Sequence, residues 1–130
     1  MKKLIIISFL MASLLAVSIF EIIKSTSVFT TMSNDLVILR ESVQENEHAP
    51  DNEQTVALAN ELMNKWSENK RFLLVFNNHS TVRLLDEKIV AMHSSVIHGK
   101  FNESMEYSAT ALSLCRDLID ETHPIIANLF

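Results

Sequence analysis

The chain has 130 residues, which is room for one domain and too little for two separate cores once a targeting segment is set aside. Hydrophobic residues make up 48% of it and aromatics 7%, with one Gly and two Pro, a scarcity of breakers that favours long helices over sheets or loop-rich folds. Setting aside Lys2, Lys3, Lys24 and Glu21 leaves 8 basic and 15 acidic residues from Ser25 onward, a formal charge of −7 that argues against nucleic acid as a partner.

Met1-Lys-Lys leads into an uncharged run of 17 residues, Leu4 to Phe20, with no helix breaker. At a rise of 1.5 Å per residue the run reaches roughly 25 Å, and Ile22 and Ile23 extend it past Glu21 towards the thickness of a hydrocarbon core. Residues 1–24 are therefore expected to be a transmembrane anchor or a signal segment, with 25–130 as the folded body. Lysines ahead of the run place that end in the cytoplasm and the body outside the membrane. Ala16 and Ser18 have the small-x-small spacing of a cleavage site before Ile19, so secretion after cleavage is the alternative. The uncleaved anchor is favoured because Ile22, Phe29, Met32, Leu36, Leu39 and Val43 step by 7, 3, 4, 3 and 4, a heptad stripe in phase with the apolar run. The same stripe offers a membrane-proximal surface for homo-oligomerisation.

Pro50, within Glu45 to Gln54, interrupts the first helix, and Asp51 or Asn52 is suited to cap the second. A second helix is predicted from about Glu53 to Phe76, with Leu58, Leu62, Trp66, Asn69, Leu73 and Phe76 on one face. The corner Asn77-Asn78-His79-Ser80 leads to a third helix from Ser80 or Thr81. Val82, Leu85, Ile89, Met92 and Val96 point inward there, and Gly99 closes it in the left-handed conformation. Asn102 is expected to cap a fourth helix carrying Met105, Ala109, Leu112, Cys115 and Ile119 inward, closed by His123-Pro124, with Ile125 to Phe130 folding back on the bundle. Gly99 to Leu112 also resembles the turn and second helix of a tetratricopeptide repeat, but one unit is too few for a stacking array. The fold class is all-α, a small antiparallel bundle of three to four helices following the membrane or signal segment.

Trp66, Lys70, Phe76 and His79 form a W-x3-K…F-x2-H pattern. With the lysine-led membrane segment, the later helical pair and the closing Asn128-Leu129-Phe130, the chain resembles the family known as domain of unknown function 4363. The resemblance covers essentially the whole chain. It implies a small, membrane-anchored, extracytoplasmic protein of a spore-forming Gram-positive bacterium, with a partner in the membrane. It transfers no catalytic residue, and the positions after His79 hold Ser80, Thr81 and Val82 in place of acids.

The residues give no pattern for catalysis. There is no G-x-S-x-G, and one glycine leaves no phosphate-cradling loop. His48, His79, His93, His98 and His123 include no i, i+4 pair and no HExxH, so no metal or other cofactor is expected. Asp86-Glu87 and Asp120-Glu121 read as solvated faces. The single cysteine, Cys115, is expected to be buried, with a raised pKa. Lys65, Lys70 and Arg71 form the one basic cluster of the body. They are read first as partners of Glu61 and Glu68, and second as contacts for anionic headgroups. The sequence thus points to a non-enzymatic interaction module that binds a membrane or envelope partner. Lys70, Asn77, Asn78 and His79 form its candidate interaction corner, and Trp66, Leu73 and Phe76 its core motif. The alternative is a small-ligand sensor, which would need an apolar pocket of about 300 Å3 or more near Trp66.

Overall fold

The computed structural model describes residues 1–129, with side chains described through Thr122. Four helices follow one another: α1 (Lys2–Glu45), α2 (Glu53–Phe76), α3 (His79–Ile97) and α4 (Phe101–Leu129), with no strand among the described residues. The connections, 46–52, 77–78 and 98–100, are too short for anything but antiparallel neighbours. Each helix packs on two others, α1 on α2 and α4, α3 on α2 and α4, so the chain closes an up-down-up-down ring.

α1 is one unbroken helix of 44 residues, about 66 Å long. No joint separates residues 1–24 from the body. From Lys2 to Ser18 it is exposed, and burial begins in earnest at Ser25. From there Phe29, Met32, Leu36, Leu39 and Val43 fill the bundle interior at 0–2% exposure. The heptad stripe is thus spent within its own chain and offers no free face for oligomerisation. The physical reason is that α2 and α4 supply the partner surface the stripe requires.

The facing positions complete the core: Ala59, Leu62, Trp66 and Leu73 from α2, Val82, Leu85, Ile89, Met92 and Val96 from α3, and Ala111, Leu112, Cys115 and Leu118 from α4. Each fully buried aliphatic side chain contributes roughly 1.5–3 kcal/mol relative to exposure. Hydroxyl pairs bridge the helices between these layers. Ser42 and Thr55 meet at 2.6 Å across α1 and α2, Ser95 and Ser104 at 3.0 Å across α3 and α4, and Thr26 and Thr122 at 3.1 Å across α1 and α4.

Several boundaries differ from the sequence expectation. Phe76 is 45% exposed rather than core, because it is the last residue of α2, at the edge of the apolar arc. α3 starts at His79 with Asn78 as its cap, one or two residues early. α4 starts at Phe101, and the Ser104 amide bonds to the Lys100 carbonyl, so Asn102 lies inside the first turn and caps nothing. His123-Pro124 does not close α4, which continues to Leu129. A proline near a helix end removes one bond, here to the Asp120 carbonyl, and need not stop the few residues that follow. The expected folding back of the Ile125 to Phe130 side chains lies outside the described residues.

Asn52 caps α2, its side chain accepting from the Thr55 amide at 3.0 Å. Gly99 ends α3 at φ +68, with its amide on the Val96 carbonyl and the Lys100 amide on the Ser95 carbonyl, the two bonds of a Schellman turn. A Cβ at Gly99 would also lie 3.3 Å from the Asp51 carboxyl carbon, so the α3–α4 turn abuts the α1–α2 loop. Gly99→Ala is expected to destabilise the bundle by about 1–2 kcal/mol through the left-handed backbone alone, read as a lowered midpoint in chemical denaturation.

Candidate functional site

The stretch Trp66 to Ser80 was the most specific feature of the sequence, and the structure divides it in two. Its upper part is an internal network. Trp66 is fully buried, and its indole N–H donates to Asp86 Oδ1 of α3 at 2.8 Å. The other carboxylate oxygen, Oδ2, lies 3.1 Å from Lys70 Nζ. A buried indole needs an acceptor, and a carboxylate at the edge of the core supplies one while Lys70 balances its charge. Asp86 is therefore not simply part of a solvated face, and Lys70 is engaged across the α2–α3 interface rather than with Glu68. Lys65 is held likewise, by Asp35 of α1 at 3.0 Å and Glu61 at 3.3 Å. Hydrogen bonds to Asp35 and then Glu61 raise its pKa above the ordinary lysine value.

The lower part is the α2–α3 corner. Asn77 ends α2, and its side-chain amide donates to Ser25 Oγ of α1 at 3.1 Å and to the Leu73 carbonyl at 3.2 Å. Asn78 caps α3, accepting from the Thr81 amide at 3.3 Å. His79 Nδ1 lies 3.1 Å from the Leu74 carbonyl, which can only accept, so the ring donates there. The corner thus ties α2, α3 and α1 together while Asn78 and His79 remain exposed. Beside it a groove of about 200 Å3 opens between Glu21, Ile22, Ser25, Phe76, Asn77, Asn78, Glu121 and Thr122. The candidate corner residues are close in sequence but divided in role: Lys70 belongs to the tryptophan network, and Asn77, Asn78 and His79 to the base of the bundle.

Three other surface depressions of about 180, 290 and 110 Å3 lie along the helices. Trp66 lines none of the four, and its indole stands in filled core. His93 bonds through Nε2 to Asn60 Oδ1 at 2.7 Å, and burial lowers its pKa. Burial pushes the Cys115 thiol up to about 12, opposed by the neighbouring Ser33 hydroxyl. No group of three or more His, Cys, Asp or Glu among the described residues converges on a common point. No protein-family profile, curated relative or solved structure matches the chain.

The sequence marked Trp66 as core but gave no sign of its acceptor. Asp86 is 20 residues away and carries no motif, although its neighbours Leu85 and Ile89 place it at the border of the α3 stripe.

Three outcomes are expected. Trp66→Ala should cost about 3–5 kcal/mol in the unfolding of the detergent-solubilised chain. Trp66→Phe should cost about 1.5–3 kcal/mol, the scale of a hydrogen bond to a charged acceptor. Cys115 should resist thiol-specific alkylation at pH 8 in the folded chain and react fully once denaturant is added.

Proposed function

We propose that this protein is a membrane-anchored helical interaction module whose bundle stands outside the cytoplasmic membrane and binds a membrane or envelope partner without catalysing a reaction. The observation that carries this reading is α1. Within a single helix, the run from Leu4 to Phe20 leaves large apolar side chains uncovered, Leu4 at 71% and Phe20 at 62% exposure, while the continuation is sealed into a core. That helix is long and apolar enough to cross a membrane, although a signal sequence would meet the same description. Water is a poor solvent for such a run and hydrocarbon a good one. Lys2 and Lys3 favour a cytoplasmic location for that end. Retention of the anchor is supported by the helix passing through Ala16 to Ile19 and into the bundle without a break.

The interaction role rests on the exposed corner and the acidic body. The core is filled, and Lys65 and Lys70, which flank it, are engaged with Asp35 and Asp86. The resemblance to domain of unknown function 4363 points the same way, towards an extracytoplasmic accessory protein with a partner in the membrane. Affinity purification of the full-length chain from membranes in mild detergent is expected to recover a discrete membrane protein. Recovery of the chain alone at its monomer mass would overturn the interaction role. Release of the chain from membranes by alkaline carbonate would overturn the anchor.

A further inference from the structure

We infer that the α2–α3 corner is a lipid-contacting surface, with Val75 and Phe76 seated in the headgroup layer of the bilayer that α1 enters. The inference rests on the membrane reading of α1 and adds a second point of contact, which fixes how the bundle stands.

The register of the corner against α1 leads to this surface. The Asn77 to Ser25 hydrogen bond at 3.1 Å sets the end of α2 level with a residue five positions beyond Phe20, the last of the uncharged run. At 1.5 Å per residue that is about 7 Å along the helix axis. The headgroup region on each side of a hydrocarbon core is about 5–8 Å thick. With Leu4 to Phe20 in hydrocarbon, the corner has no room to stand clear of the membrane.

The side chains at this level suit that place. Val75 is 67% exposed and Phe76 45%, two large apolar residues side by side at the last turn of a helix that otherwise buries its apolar face. Phe76 stacks obliquely on Phe72 with ring centroids 4.8 Å apart, and Lys24 of α1 holds its ammonium 4.2 Å from the Phe72 ring centroid. Aromatic rings flanked by a cation are typical of the membrane–water boundary, where the ring meets acyl chain and the cation meets phosphate. Arg71 is exposed one turn above Val75 on the same side of α2. Glu21 and Glu121 line the groove beside Thr122, which Phe76 shares, so two acids stand at the base along with Lys24 and Arg71. The far end of the bundle is the reverse: between Arg40 and Glu53 stand Glu41, Glu45, Glu47 and Asp51, a composition that an anionic bilayer repels.

The test uses the full-length chain in vesicles of phosphatidylcholine and phosphatidylglycerol that contain no second protein. Nitroxide is attached to cysteine in Leu10→Cys, Val75→Cys and Glu47→Cys, all exposed positions, with the unsubstituted chain showing that buried Cys115 takes no label. Collision with oxygen and with a water-soluble nickel chelate then reports depth. Leu10 is expected in hydrocarbon, Glu47 in water, and Val75 between them with a loss of nickel accessibility relative to Glu47. If Leu10 lies in hydrocarbon and Val75 is as accessible to nickel as Glu47, the seat is overturned and the anchor stands. If Leu10 itself is accessible to nickel, the membrane reading fails and the seat with it.

Discussion

The structure depends on one constraint: α1 must be a single helix with two different surroundings. Its later half carries an apolar stripe that α2 and α4 cover, and its earlier half carries apolar side chains on every face that nothing in the bundle covers. Helical periodicity links the halves, because the stripe and the run share one phase and no glycine or proline intervenes between Leu4 and Val43. Rotating one half about the helix axis would rotate the other. The orientation of the bundle about α1 is therefore determined where Phe29, Met32 and Leu36 meet α2 and α4, not by the connections.

Apolar packing alone leaves an antiparallel bundle free to slide by a turn, since leucine-like layers are nearly interchangeable. Polar pairs at defined heights remove that freedom. Ser42 with Thr55 and Ser95 with Ser104 fix the end away from the apolar run, Thr26 with Thr122 and Asn77 with Ser25 fix the other, and Trp66 with Asp86 holds the middle. A shift of one turn would part the buried Ser42 and Thr55 hydroxyls and leave the Trp66 indole N–H without its acceptor, at a cost of about 1–3 kcal/mol for each.

Much of this architecture was legible in the sequence because it follows from short-range rules. The 3-4 spacing of Val82 to Val96, the proline after the first helix and the glycine after the third marked the helices and their turns. What the sequence did not reveal depends on height and rotation across helices. Asp86 reads as one of two adjacent acids until α3 is set beside α2, when it becomes the acceptor for Trp66. Phe76 fits the α2 face by angle, yet at the helix end it lines an open groove with Glu21 of α1 and Glu121 of α4 instead of being covered. The α1 stripe looked available to a second copy because spacing cannot say which partner covers it. Pro124 reads as a stop in the sequence, yet α4 runs through it to Leu129, giving up the bond to the Asp120 carbonyl. In the corner, the chain order of Asn77, Asn78 and His79 was informative, and their division from Lys70 was not.

The unbroken passage of α1 from its exposed run into the core has a mechanical consequence. A chain with a flexible joint at residues 21–25 would let the bundle swing independently of whatever grips the first turns. Here the helix is a stiff lever, with the far end of the bundle about 37 Å from Phe20 along the axis. A tilt of about 10° at the gripped end therefore carries the acidic far end sideways by about 6 Å, a displacement comparable to one helical turn. Angular change at the base becomes translation at the tip.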